Sequence, residues 1–251
     1  MIFDEATETL EDIKMDGIRL IQKKKGFRYG LDAILLSQFA HVTRRTRAVD
    51  LGTGTGIISL LLAQRGAKAV TALEQNPVMA ELATRNAALN EMEDVVRVVC
   101  GDVCKVRDDF AAESVDLVVS NPPYRVPETG KVAPLDDVAR ARHEITASLA
   151  DFVRAAQYLV KYRGRFAMIH LPERMVEILS LLHEMNLEPK RLRMVYPNRH
   201  LSPSMFMVEC VKGGRAGGLS VMPPLILMEE DGTYCREVLS YHNMNEEGES
   251  L

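Results

Sequence analysis

Val49-Asp50-Leu51-Gly52-Thr53-Gly54-Thr55-Gly56-Ile57-Ile58-Ser59-Leu60-Leu61-Leu62-Ala63 reads as an apolar strand, then a glycine loop, then an apolar helix. Glycine at alternate positions lets the backbone turn sharply and lets a ligand approach it, while the N–H groups of the following helix aim at that ligand. The spacing is G-x-G-x-G rather than the G-x-G-x-x-G of dinucleotide-binding proteins, and an acid, Asp50, precedes the loop. A carboxylate there disfavours pyrophosphate and suits a ligand with a cationic ammonium group. Asp50, Gly52, Thr53, Gly54 and Gly56 are therefore candidate ligand-binding residues.

From Arg47 onward, strand and helix patterns alternate: strand 47–51, helix 56–65, strand 69–74, helix 77–90, strand 95–100 and strand 115–120. Such alternation predicts an α/β fold, a parallel sheet with helices on both faces. Pro77 suits a first helical turn, where its missing N–H has no partner to lose. Further on, the pattern predicts helix 147–162, strand 165–169, helix 172–186 and strands 191–196 and 205–211. Residues 213–218 read as a flexible hinge, 219–228 as an edge strand, 234–241 as a short helix and 243–251 as a frayed end. The polar stretch Arg125 to Arg142 reads as an active-site loop.

Two strands end on acids. Residues 69–73 run into Glu74 and Gln75, and residues 95–101 run into Asp102 and Val103. At the end of the second strand of such a sheet, a carboxylate can accept both ribose hydroxyls of a nucleoside; Asp102 could accept from an adenine amino group. A further strand, Val115 to Ser120, runs straight into Asn121-Pro122-Pro123-Tyr124. Proline has no N–H and holds φ near −65°, and it pushes the preceding residue to extended geometry, so the chain stiffens as it leaves the sheet. An Asn side chain, prolyl carbonyls and an aromatic ring at a strand's carboxyl end can hold a planar group bearing an amine.

Composition bounds the rest. With 251 residues and 47% hydrophobic content, the chain can bury one substantial core. Net charge is −4, yet residues 1–16 hold six acids and one Lys, and residues 229–251 seven acids and one Arg. Setting these aside leaves 29 basic and 22 acidic residues, a middle of net +7. Basic clusters lie at Lys23 to Arg28, Arg44 to Arg47, Arg140 with Arg142, Lys161 to Arg165, and Lys190 to Arg193; each could track phosphates or be a solvated face. Cys100, Cys104, Cys210 and Cys235 lack paired C-x-x-C spacing, and no metal site is expected. No run approaches membrane-spanning length and no secretory leader is evident, so a cytoplasmic protein without a membrane partner is expected.

These motifs resemble the class I S-adenosylmethionine-dependent methyltransferases of the amino-group type. Within them, the chain is most similar to the family that methylates N6 of an adenine beside the anticodon of valine tRNA. That closer resemblance is carried by Lys24-Lys25-Gly26-Phe27-Arg28-Tyr29-Gly30-Leu31-Asp32-Ala33-Ile34-Leu35-Leu36, by Ala141-Arg142-His143-Glu144, and by Gly232-Thr233-Tyr234-Cys235-Arg236-Glu237-Val238. It implies a Rossmann-like seven-stranded sheet whose last strand is antiparallel, with short additions at both ends. It also implies a segment 1–46 covering the cofactor and target site, a methyltransferase domain 47–212 and an extension 213–251 on the same domain.

By the same resemblance the cofactor is S-adenosyl-L-methionine. The glycine loop and Asp50 would hold its amino-acid end, Glu74 its ribose, and Asp102 and Val103 its adenine, with Gln75 and Asn121 also among the cofactor-binding residues. Tyr29 and Asp32 would lie over the cofactor and target pocket, although Asp32 could equally cap a helix. Asn121 and Pro122 would accept the target amine's hydrogens, and Pro123 and Tyr124 complete the catalytic motif, Tyr124 stacking on the base. His143-Glu144 would contact RNA or cap the next helix. The partner expected is tRNA or another structured RNA. Asn-Pro-Pro-Tyr also occurs in methyltransferases acting on the glutamine amide of release factors, which usually carry a helical N-terminal domain, whereas some 46 residues precede the first strand here. DNA adenine is a further acceptor to consider. A non-catalytic cofactor-binding subunit is the alternative from another class, and it predicts erosion of one of the two motifs.

Overall fold

The computed structural model describes residues 3–15, 17–25, 28–124 and 147–241. It opens with a hairpin that the sequence reading did not anticipate, in which β1 (Glu8–Asp12) pairs antiparallel with β2 (Arg19–Lys23). Helix α1 (Leu31–Phe39) follows and leads to β3 (Arg47–Leu51), the strand before the glycine loop. Then come α2 (Ile57–Gln64), β4 (Ala69–Glu74), α3 (Pro77–Leu89), β5 (Val96–Cys100), a short α4 (Val106–Asp109) and β6 (Val115–Ser120). The second half supplies α5 (Leu149–Leu159), β7 (Val160–His170), α6 (Met175–Glu184), β8 (Leu187–Tyr196) and β9 (Met205–Lys212). Two-residue strands β10 (Ser220–Val221) and β11 (Leu225–Ile226) and helix α7 (Arg236–Tyr241) complete it.

The sheet runs β8-β9-β7-β6-β3-β4-β5, with β10 and β11 both parallel to β8. Neighbours from β7 through β6, β3 and β4 to β5 are parallel, and β9 alone runs against them, as expected of the last long strand. Side chains alternate across the sheet. Leu117 and Val119 join a core with α1 and α2, while Val118 joins a second core with Phe152 and Val153 of α5. Helix α2 is buried on nearly every side, which explains its apolar run Ile57-Ile58-Ser59-Leu60-Leu61-Leu62. Because the parallel strands share one direction, the residues that follow β3, β4, β5, β6 and β7 gather along one rim.

Several boundaries differ from expectation. Helix α5 ends at Leu159, not 162, because Val160 is already extended and pairs with Val115. The last carbonyls of α5, on Tyr158 and Leu159, accept the amides of Glu113 and Ser114 at 2.9 Å each, which ties the helix end to the turn before β6. Strand β8 starts at Leu187, ahead of position 191, and carries an irregularity between Pro189 and Arg191 where proline cannot donate to the ladder. The glycine-rich stretch 213–218 is tied to β8 instead of standing free as a hinge. Lys190 Nζ donates to the carbonyls of Arg215 and Gly217, and Gly217 N–H donates to Glu188 at 2.9 Å. The expected edge strand 219–228 is two short pieces because Pro223-Pro224 interrupts it.

Polar side chains fix the hairpin onto α3. Asn86 is fully buried; its Oδ1 accepts Ile21 N–H at 2.7 Å, and its Nδ2 donates to the carbonyls of Ile21 at 3.0 Å and Thr55 at 2.9 Å. One turn later Asn90 holds Arg19 in the same two-way manner. Glu8, only 2% exposed, pairs with Lys23 at 2.6 Å and Arg85 at 2.7 Å. The Arg85 guanidinium holds the Glu8 carboxyl far below the usual range, against the burial that would raise it.

Candidate active site

The rim at the carboxyl ends of β3, β4 and β6 borders a cavity of about 280 Å³. Gly52, Gly54, Glu74, Gln75, Val103, Asn121 and Pro123, all expected from sequence, line it. Its remaining wall is Asn76, Met79, Ala147 and Phe152, which sequence reasoning missed. Asn76 did carry a signal, an Asn directly before Pro77, and it caps α3 by accepting Val78 N–H at 2.9 Å. Phe152 carried none, because an aromatic on an amphipathic helix looks like ordinary core.

Glycine is needed in the loop for identifiable reasons. Gly52 and Gly56 have φ of +74° and +87°, a region that L side chains rarely occupy. A Cβ on Gly56 would lie 3.2 Å from Ala83 Cβ, and one on Gly52 would lie 3.3 Å from the Phe152 ring. The loop is braced from below by Asp50, which is fully buried and stands behind the cavity, not on its wall. Its Oδ2 accepts Thr53 Oγ1 at 2.6 Å and Ser59 Oγ at 2.9 Å, while Oδ1 has no partner among the described residues. Burial pushes the Asp50 carboxyl up to about 6, opposed by the two hydroxyl hydrogen bonds.

Glu74 braces the loop from the side. One carboxylate oxygen accepts Gly54 N–H at 2.8 Å and the other Asn76 N–H at 2.9 Å. Each oxygen retains a second acceptor site, so the residue can still receive a diol from the cavity. Asp102 does not reach this wall. It caps a short 3-10 turn by accepting Cys104 N–H at 2.8 Å and leaves Val103 facing the space.

At the other end of the cavity, Asn121 Nδ2 donates to Asp32 Oδ2 at 2.8 Å, and Tyr124 Oη donates to the same oxygen at 2.5 Å. Asn121 Oδ1 is buried with no partner among the described residues. Burial, followed by the Asp32 charge, raises the Tyr124 phenol and keeps it a donor. The Tyr124 ring stands edge-to-face against His170, centroids 5.3 Å apart and planes at 75°. His170 is fully buried, and burial with the Arg174 charge lowers its titration; Nδ1 accepts Leu171 N–H at 2.8 Å.

Asp32 is not the helix cap. Gly30 holds the N-cap position of α1, and Asp32 lies in the first turn, turned toward the Asn-Pro-Pro-Tyr motif. Tyr29 is half-buried against the α1 and α2 core, away from the cavity wall, with its N–H donated to Gln22 at 3.0 Å. The expected loop Arg125 to Arg142 and His143-Glu144 lie outside the described residues, as do Gly26 and Phe27. The cavity can therefore hold a nucleoside-sized ligand against the glycine loop, with Asn121 on the wall at its far end.

Residues 30–170 match the family model described as Methyltransferase small domain. The chain is 33% identical over 193 residues to a tRNA1(Val) (adenine(37)-N6)-methyltransferase of Porphyromonas gingivalis, covering 72% of this chain and 73% of the relative. A protein of the same name from Aeromonas salmonicida is 35% identical over 159 residues, 61% of this chain and 64% of the relative. Among solved structures, a predicted O-methyltransferase from Agrobacterium tumefaciens superposes with a TM-score of 0.67 at 23% identity, covering 88% of this chain and 98% of that one. Geranyl diphosphate C-methyltransferase from Streptomyces coelicolor A3(2), solved with S-adenosyl-L-homocysteine, superposes at 0.54 with 14% identity, covering 72% and 78%. At those identities the two structures speak for the fold alone.

Proposed function

The chain belongs to the Methyltransferase small domain family, and from that premise we propose that it transfers a methyl group from S-adenosyl-L-methionine to N6 of adenine 37 in a valine tRNA. One observation carries the amine as target: Asn121, a residue of the cavity wall, has its nitrogen tied down by Asp32 and a buried oxygen with no partner among the described residues. An unmet buried acceptor is costly, so a ligand bearing N–H at that point gains more than the usual hydrogen bond.

The residues present fit the cofactor. The Gly52-to-Gly56 backbone would take its amino-acid end and Glu74 its ribose hydroxyls, with Val103 and Met79 beside its base. Asp50 supports the loop from beneath, leaving backbone and not carboxylate at the surface. When bound, the cofactor supplies an electrophilic methyl on sulfonium sulfur. The protein's part is orientation. An adenine amine is a weak nucleophile because its lone pair is delocalised into the ring; Asn121 Oδ1 and the Pro122 carbonyl would accept hydrogen bonds from its two N–H groups and orient its lone pair, so that placement and fixed dipoles replace a strong base, and the proton N6 sheds on gaining the methyl would pass to solvent. The Tyr124 ring stacks on the extruded base. The substrate is a tRNA and the reaction runs in the cytoplasm; no helix among the described residues is long and apolar enough to cross a membrane.

The test is methyl incorporation from labelled S-adenosylmethionine into unmodified bulk tRNA, with release-factor protein and duplex DNA in parallel, followed by nucleoside analysis. N6-methyladenosine in tRNA is expected, and Asn121→Ala should lower kcat by roughly 10²–10³-fold, the scale of one preorganised polar contact. Transfer only to protein glutamine would replace the tRNA reading with the release-factor one. No transfer to any acceptor, with cofactor still bound, would favour the non-catalytic subunit.

A further inference from the structure

A primary amide has two orientations of almost identical shape. A half-turn about its last bond exchanges Oδ1 and Nδ2 while filling the same space. For Asn121 the two are chemically opposite: one offers the target amine an acceptor, the other turns N–H against N–H. Whatever selects between them decides whether the motif can work.

The selecting group is on α1. Asp32 Oδ2 receives Asn121 Nδ2 at 2.8 Å and Tyr124 Oη at 2.5 Å, while Asp32 Oδ1 receives its neighbour Ala33 N–H at 3.0 Å. A carboxylate has acceptors only, so it repels Asn121 Oδ1 and keeps the amide nitrogen on its own side. The bond is charge-assisted and partly buried, which makes it the strong kind. The tyrosine hydroxyl on the same oxygen ties down the far end of the Tyr124 ring, which packs edge-to-face against His170. We infer that Asp32 is the positioning residue of the amine site: it acts through Asn121 and Tyr124, fixing the amide with its oxygen toward the substrate, and is not a cofactor ligand. The inference rests on the methyltransferase reading for its meaning, but not for its geometry.

Asp32→Asn is the discriminating variant because it keeps the shape. If the new amide keeps its oxygen on Ala33 N–H, its NH₂ faces Asn121 and favours the flipped amide there. We expect kcat at saturating tRNA and cofactor to fall about 10- to 100-fold, the scale of one charge-assisted hydrogen bond, with KM for S-adenosylmethionine changed less than twofold. The double variant Asp32→Asn/Asn121→Asp places an amide donor beside a carboxylate that presents an oxygen either way round. It should recover at least tenfold over Asp32→Asn, a rescue that simple loss of packing would not allow. Loss of cofactor affinity in step with activity would overturn the proposal by making Asp32 a cofactor ligand; so would unchanged kcat or failed rescue.

A second readout needs no turnover. In ¹⁵N-asparagine-labelled protein, with the Asn121 signal assigned by its loss in Asn121→Ala, one side-chain amide proton should be shifted downfield and exchange slowly, and Asp32→Asn should abolish both effects. A signal indifferent to Asp32→Asn overturns the inference even if tRNA is the acceptor. A responsive signal sustains it even if the wild type prefers another amine, so the two readings fail separately.

Discussion

Asp50 is a buried carboxylate with two hydroxyl donors on one oxygen and, among the described residues, none on the other. Its titration lies near 6 when folded and near 3.8 when unfolded, so the folded state binds the extra proton between those values. The sign follows: the free protein gains stability from this residue as pH falls from 7 toward 5, by about 1 kcal/mol, since each pKa unit is worth about 1.4 kcal/mol. Urea unfolding at pH 7 and pH 5 should show that gain, and Asp50→Asn should remove it. Glu8 works in the other direction. Its depressed carboxyl stabilises the folded state above the unfolded value of 4.5 and loses that contribution as pH falls further, so the Asp50 effect is best read above pH 5. Most of the site was legible at this scale because its parts sit at strand ends and next to glycine or proline. The contacts of Asp32 and Asp50 were not, since an acid ahead of a motif gives no hint whether it faces a ligand or another side chain; that depends on contacts between residues distant in sequence.

At the scale of elements, the alternating core of the sheet was readable because its strands are short apolar runs closed by acids or by Asn-Pro. The hairpin β1–β2 was not, because Glu8-Thr9-Leu10-Glu11-Asp12 is too polar to announce a strand. What makes it one lies elsewhere, in Asn86 and Asn90 of α3, spaced one turn apart so that both face β2. Asn86→Ala would leave the Ile21 N–H and the Thr55 carbonyl without that partner in a buried place. At about 1–3 kcal/mol for each group left unmet, the variant should lose about 3 kcal/mol and, at 2–4 °C per kcal/mol, melt roughly 6–12 °C lower. Because Thr55 lies in the glycine loop, cofactor affinity should drop in the same variant. Calorimetry and cofactor titration check both. A normal melting temperature would mean that the hairpin does not depend on this clamp.

For the molecule as a whole, the clusters at Arg44-Arg45 and Lys161-Arg163-Arg165, distant in sequence, converge. Arg45, Lys161, Arg163 and Arg165 line one cleft of about 310 Å³ at the amino ends of the strands, opposite the rim with the Asn-Pro-Pro-Tyr motif. The Lys161-Arg163-Arg165 and Lys190-Arg191-Arg193 clusters also brace the fold: Arg165 and Arg191 share the buried Glu209 at 2.7 and 3.1 Å, Lys161 pairs with Asp116 at 3.1 Å, and Arg193 pairs with Glu237 at 2.5 Å. Sequence counting could not show this pairing, because the acids lie on other strands and helices. If tRNA is bound through phosphates, its affinity should fall by about tenfold or more between 50 and 200 mM salt, while cofactor affinity changes little; filter binding and calorimetry measure the two. S-adenosylhomocysteine at about a hundred times its Kd should add about 2.7 kcal/mol and raise Tm by roughly 5–10 °C. The tail of the sheet has a consequence of a different kind. β10 and β11 cap the open side of β8 with two residues each, and Pro223-Pro224 between them offers no N–H, so this flank presents almost nothing on which a neighbouring chain could add a strand. Polymerisation by strand addition is blocked there, so within this sheet, among the described strands, self-association would have to be held in check at the β5 margin.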